Sequence, residues 1–198
     1  MANPTTGFGF QPTRRIDGAS PNAQLVDEQV IYSYSTKIHQ FTPVIRAASG
    51  YIEAAGANDA PVLGVFMGVE YYDTALKQKI FTPAWLAPTA TALAGSVVAK
   101  VVLATPMQLF KVRSSGTVIT LADKGANAKL EAVAGDDATG ISKFRLDQTT
   151  LNTTNTLPFQ VWEILPTKGE FNNATLDNNI VEVLIVNNTV TSTTGKAA

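Results

Sequence analysis

Short runs of β-branched and aromatic residues recur along this chain at roughly 8–14-residue intervals, each closed by glycine, proline, asparagine or aspartate. No long amphipathic helix alternates with them. A chain punctuated in this way buries its apolar side chains by pairing many short strands, which predicts an all-β fold, a compact β-sandwich or β-barrel.

The strands are expected as follows. In residues 29–39 (QVIYSYSTKIH), Val30, Tyr32, Tyr34 and Thr36 share a face at the two-residue period of a strand. Pro43 places a strand start after it within 41–48. Residues 61–73 (PVLGVFMGVEYYD) are the strongest core strand, with Gly64 and Gly68 marking a bulge or a close backbone approach. Residues 78–85 pair with it across a turn at 74–77. In 92–105, Val97, Ala99, Val101 and Leu103 line one face. Residues 107–115 and 117–122 flank Gly116 as a hairpin. Segment 128–135 fits a strand or a short helix, 141–147 and 158–165 are strands, and 148–156 (QTTLNTTNT) is a polar loop. Residues 179–188 (NIVEVLIVNN) are apolar on both faces, which places that strand centrally or at an interface.

Three regions follow: an extended N-terminal arm (1–24), a β-rich domain (25–190) and a flexible C-terminal tail (191–198). Pro4, Pro12 and Pro21 exclude helix from the arm. Phe8, Phe10, Ile16 and the adjacent Arg14–Arg15 give it anchors that a disordered tail lacks. The arm is therefore expected to be ordered by packing, on a neighbouring molecule or, in the alternative, back on its own domain.

Charge narrows the function. Only 16% of residues are charged and the net charge is -1, so no basic excess marks a nucleic-acid binder. Small polar residues replace the missing charge: 24 are threonine, and ordering such side chains in an assembly costs less entropy than ordering lysine or glutamate. There is no cysteine and one histidine, which removes thiol nucleophiles, disulfides and zinc sites built on Cys or His. The opening MANPTTGFGF is not a secretory signal, and no apolar run is long enough to span a membrane.

Individual motifs point weakly to chemistry. GFGF at 7–10 lacks the preceding strand, third glycine and following helix of a phosphate loop. His39 reads as a hydrogen-bonded or exposed histidine rather than a catalytic one. Asp136–Asp137, and Asp123 with Gly125 and Asn127, lack calcium-loop spacing and read as turns. Glu70, Asp73 and Asp59 would be a glycosidase pair only if two of them flanked a sugar cleft. NTT (152–154), NAT (173–175) and NNT (187–189) match glycosylation acceptors but reflect composition. Trp162 reads as core, whereas Trp85, with a proline on either side, is expected in a rim loop as an exposed anchor; with Tyr71 and Tyr72 it would form a sugar-binding platform. Neither a catalytic group, a cofactor nor a metal is expected.

The opening NPTTGFGFQPTRRIDG, with Arg14, Arg15, Asp17 and Gly18, resembles the start of a family of small structural proteins of tailed bacteriophages, notably marine and cyanobacterial podovirus-like phages. The resemblance extends to the LGVF core (Leu63 to Phe66) with Glu70–Tyr71, and to NIVEVLIVNN with its Asn187–Asn188 pair; Thr189 stands where the family often has histidine. It implies a capsid decoration or cement protein on the outer surface of the virion head, bridging subunits of the major capsid protein, with no catalytic residues. Partner-binding residues are then expected to be Phe8, Phe10, Arg14, Arg15, Ile16 and Trp85: apolar anchors beside forked donors. A homo-oligomer is expected too, a trimer ahead of a dimer, with neither nucleic acid nor membrane as partner. The alternatives are a tail, neck or head-fibre component, or a carbohydrate-binding surface module.

Overall fold

The computed structural model describes residues 2–18, 25–57, 61–165 and 174–191. Nearly all its regular structure is strand, arranged as a closed barrel and a second sheet. The barrel sheet holds β1 (Gln11–Arg15), β8 (Gln108–Ser115), β9 (Asn127–Glu131), β10 (Arg145–Asn152), β11 (Phe159–Ile164) and β12 (Ile180–Ile185). Strands β8, β10, β9, β11 and β12 neighbour one another in that order, and β12 pairs back onto β8, so five strands close the wall. Closure removes the open edges that an isolated sheet would expose.

The second sheet runs β2 (Leu25–Gln29), β7 (Val98–Leu103), β5 (Gly64–Asp73), β3 (Pro43–Arg46) and β4 (Ile52–Ala54), with β6 (Gln78–Thr82) on β5. Alternation along β5 joins the two layers: Val65 belongs to the barrel core and Phe66 to the core of the second sheet. Val102 of β7, with Val62 and Ala104 just outside the strands of this sheet, also enters the barrel core. The two sheets therefore share apolar contacts and make one folding unit.

The N-terminal arm is extended, and it packs on its own barrel. Its strand β1 lies antiparallel to the first half of β8, with Gln11 opposite Lys111. β10 takes the second half of β8 with Leu146 opposite Ser114, while β12 occupies the other side from Leu109 to Arg113. The arm thus fills the stretch of β8 that β10 leaves open. β12 is buried along its whole length because it forms barrel wall between β8 and β11, so its two-sided apolar pattern is satisfied within the chain.

Several segments differ from the sequence expectation. Residues 30–37 are not a strand: Tyr34 N–H turns back to the Ile31 carbonyl, and the chain crosses the second sheet to deliver Val30, Tyr34 and Ile38 to its core. Residues 117–122 do not complete a hairpin at Gly116. Instead Ile119 plugs the barrel, held by Asn179, whose Nδ2 donates to the Ile119 carbonyl at 2.8 Å and whose Oδ1 accepts the Ile119 N–H at 3.2 Å. The expected polar loop at 148–156 is strand as far as Asn152, since threonine fits a strand as well as a loop. Conversely 141–144 is irregular, Ile141 only bridging to Gln40 and Asp136. Segment 128–135 resolves into β9 followed by irregular chain. Tail residues 192–198 and arm residues 19–24 lie outside the described residues.

Candidate functional site

The arm residues expected to bind a partner fall into two groups. Phe10 is fully buried, its ring centroid 4.6 Å from that of Phe159 in the barrel core. Gly9 makes this possible: its φ is +75°, and a Cβ there would sit 2.6 Å from the Phe41 carbonyl oxygen, so only glycine lets the chain cross and turn the next ring inward. Phe8 is half-buried, with the Lys111 ammonium and the Arg113 guanidinium each 5.6 Å from its ring centre. Burial first, and the nearby Arg145 second, lower the affinity of Arg113 for its proton. Phe10 is withdrawn from the partner-binding set, since a ring inside the barrel has no surface to offer.

Arg14, Arg15 and Ile16 stay at the surface. The Arg14 guanidinium donates from Nε and Nη2 to Glu182 at 3.0 and 2.7 Å and also pairs with Glu163. Thr13 Oγ1 donates to the other Glu182 oxygen at 2.9 Å. Glu182 is 3% exposed, so this fork is what satisfies a carboxylate that the barrel wall buries. Arg15 pairs with Asp17 at 3.0 Å and Ile16 N–H bonds the Met107 carbonyl at 2.9 Å. The clustered features of the RRID motif therefore serve the fold first, and half of the Arg14 side chain remains open to solvent.

Trp85 is the clearest correction: it is fully buried. It does lie in a proline-flanked loop, but that loop lies across the second sheet and the indole plugs the apolar face beneath. Its Nε1 donates to the Tyr34 carbonyl at 2.9 Å and its ring meets Tyr71 edge-on at 5.7 Å. With Trp85 and Tyr71 inside, the aromatic platform for sugars is reduced to Tyr72. Trp162, expected in the core, is 37% exposed on β11.

A cluster not foreseen from the sequence surrounds a cavity of about 760 Å³ between the 132–138 segment and the 36–42 and 54–56 segments. His39, buried, hydrogen-bonds Asp137 Oδ1 through Nε2 at 2.9 Å, and Lys37 pairs with the same carboxylate. Lys37 first and His39 second hold the Asp137 carboxyl below its ordinary range. Asp136 closes the following turn by accepting the N–H of Ala138 at 3.0 Å, which with the Thr139 N–H lowers its own affinity for a proton. Gly135 is required by the imidazole: a Cβ at that position would lie 2.4 Å from His39 Cγ. The arrangement clasps the 132–141 segment to the 37–42 segment. The only sequence signal for it is the Gly135–Asp136–Asp137 turn, because its basic partners lie about a hundred positions away in the chain.

The remaining carboxylate candidates have structural duties. Glu70 is held by Lys79 at 3.0 Å and lies 3.6 Å from Lys100; Lys79 is the main reason its carboxyl titrates lower than usual. Asp73 accepts the N–H groups of Ala75 and Leu76 at 2.9 Å, fixing the β5–β6 turn. Asp59 lies outside the described residues. Asp123 takes part in a capping box with Thr120, accepting its N–H at 2.7 Å. Among the described residues no group of three or more His, Asp or Glu is placed to hold a metal ion. Comparison with protein-family models, with curated proteins and with solved structures gives no match to this chain.

Proposed function

We propose that this chain is a structural protein of a tailed-bacteriophage virion, a decoration or cement protein that binds the outside of the head and bridges subunits of the major capsid protein. The observation that carries this reading is the opening segment, NPTTGFGFQPTRRIDG, with its likeness to phage structural proteins. A charge-poor, threonine-rich surface supports it, since such a surface is ordered against other protein at low entropic cost. The folded form changes how the grip is made. The arm does not lash a neighbour; it presents Arg15, Ile16 and the outer side of Arg14 on a rigid barrel, next to Met107, whose carbonyl bonds Ile16. Many copies of such a weak contact suffice on a lattice, because attachment at several points multiplies affinity through effective concentration.

The test is fractionation of purified virions with copy number measured by mass spectrometry, together with binding of the purified chain to expanded heads. Many copies over the shell are expected, and Arg15→Glu is expected to weaken head binding while leaving the circular dichroism unchanged. Absence from virions overturns the reading. Presence only at one vertex or on the tail selects a tail, neck or head-fibre component instead.

A further inference from the structure

Edge strands of a sheet are usually defended, by charge, by a bulge or by a covering segment. In the second sheet β2 carries Asp27 and Glu28, paired with Lys100 and Arg46. At β4 the Tyr34 hydroxyl accepts the Ala54 N–H. Strand β6 carries Lys79, paired with Glu70 at 3.0 Å, but no segment of the described residues lies along its outer edge. Among the described residues its backbone pairs with β5 alone, and its outer edge carries no hydrogen bond. Phe81 at its centre face is 64% exposed, its ring held across the sheet over Gly68, where a Cβ would come 2.9 Å from it. Leu76, at the hairpin tip, is 62% exposed.

We propose that β6 pairs with β6 of a second copy of this chain, antiparallel about a two-fold axis through Ile80, so that two second sheets become one continuous sheet. The sequence of the strand selects both the occupant and the register. Centring on Ile80 overlaps all five residues, with Gln78 opposite Thr82 and Lys79 opposite Phe81. Centring on Lys79 would set two ammonium groups against each other. Centring on Phe81 would bring in Pro83, which has no N–H to give to the ladder.

In the Ile80-centred register each cross-sheet row is complementary. Within one chain Glu70 lies beside Phe81, and Tyr72 beside Lys79. The row across the axis therefore reads Glu70, Phe81, the partner's Lys79, the partner's Tyr72. Each Lys79, paired with Glu70 of its own chain at 3.0 Å, is then flanked by its own Tyr72 and the other copy's Phe81, and the same row repeats by symmetry. Lys79, which guards this edge against strands that set a cation opposite it, meets an aromatic ring when the incoming strand is a second copy, because Phe81 stands two residues after Lys79. The near-neutral chain offers little net repulsion to oppose the contact.

Sedimentation velocity of the full chain across a wide concentration range tests this, and does so whether or not the chain belongs to a virion. A species of twice the 21.0 kDa chain mass is expected. Phe81→Lys places lysine opposite the partner's Lys79 at both symmetric positions and is expected to raise the dimer Kd at least about tenfold, with an unchanged circular dichroism spectrum. Adding Lys79→Glu to that variant restores opposite charges across the axis and is expected to restore the dimer. A wild-type chain that stays monomeric at every soluble concentration, a trimer, or a dimer indifferent to Phe81→Lys overturns the proposal. So does a double variant that fails to reassociate.

Discussion

Replacing Phe10 by alanine separates an arm that is part of the barrel from one that merely rests on a neighbour. The ring is fully buried in the barrel core and stacks at a 31° tilt on Phe159, while its N–H bonds the Phe41 carbonyl at 2.8 Å. Removing a buried phenylalanine costs the lost transfer energy and the cavity left behind, about 3–5 kcal/mol. A domain of this length shifts its melting temperature by about 2–4 °C per kcal/mol, so a drop of about 6–20 °C is expected. Phe8→Ala is the internal control. Its ring is half-buried between two cations, and its loss is worth about 1–2 kcal/mol, hence about 2–8 °C. Thermal melts by circular dichroism and urea titration on both variants read the difference. Deleting residues 2–17 goes further, because it also removes β1 and bares one side of β8; that truncation is expected to unfold the barrel rather than leave a sound domain. A Phe10→Ala melt within about 2 °C of wild type, or a truncated chain that melts normally, would falsify the intramolecular role of the arm.

Four other outcomes are expected. Arg14→Ala leaves Glu182 buried with only the Thr13 hydroxyl as donor, and a destabilisation of about 1–3 kcal/mol by urea titration is expected; an unchanged midpoint removes the fork from the list of stabilising contacts. Gly135→Ala drives a methyl into the His39 ring and lowers the melting temperature, while His39→Ala added to it recovers most of that loss, a coupling that a double-mutant cycle reads directly. On acidification, Asp136 and Asp137 have folded pKa values below their unfolded ones, so their contribution is complete above the ordinary carboxylate pKa of about 4 and is lost as pH falls through the lower folded value. Asp137→Asn is therefore expected to flatten the stability curve below about pH 4, and an unaltered acid limb counts against the clasp. Trp85→Phe is expected to destabilise the fold without affecting attachment to any partner, because its indole N–H bonds Tyr34 inside the second core; a loss of partner binding at unchanged stability returns Trp85 to the surface.

What the sequence made legible was local. The expected runs at 61–73, 78–85, 92–105, 158–165 and 179–188 contain the strands β5 (Gly64–Asp73), β6 (Gln78–Thr82), β7 (Val98–Leu103), β11 (Phe159–Ile164) and β12 (Ile180–Ile185), because β-branched and aromatic residues concentrate there. Val65 and Phe66 even point to different cores, as two-residue alternation requires. What was hidden depends on partners far along the chain. Nothing near Phe10 announces Phe159, and nothing near His39 announces Asp137. Trp85 misled for a physical reason. Prolines on both sides do place a residue in a loop, but a loop laid over an apolar sheet face must put something apolar beneath it, and the largest ring in the segment is the residue that serves. Tyr32 and Tyr34 misled in the same way, since alternation over four positions is satisfied by a turn-containing crossing segment as well as by a strand.

On the proposed reading as a cement protein, the position of the arm decides how attachment to a lattice would begin. A protein that lashes its neighbours with a free arm folds that arm on arrival and loses binding energy to the ordering of each residue. Here residues 2–16 are ordered beforehand, with Asn3 donating to the Asp177 carbonyl at 2.9 Å and Arg145 to the Thr5 carbonyl at 2.6 Å. Attachment then begins from a finished surface, so each contact keeps more of its energy, but each surface is small. The proposed β6 pairing would supply the missing factor, because a two-fold dimer carries two identical barrel faces at fixed spacing, and the second face would bind at an effective concentration in the millimolar range when that spacing matches the lattice. Weak single contacts and strong decoration are compatible on these terms, and the Phe81→Lys chain separates them: as a monomer it keeps the barrel face intact and is expected to lose most of its occupancy on heads.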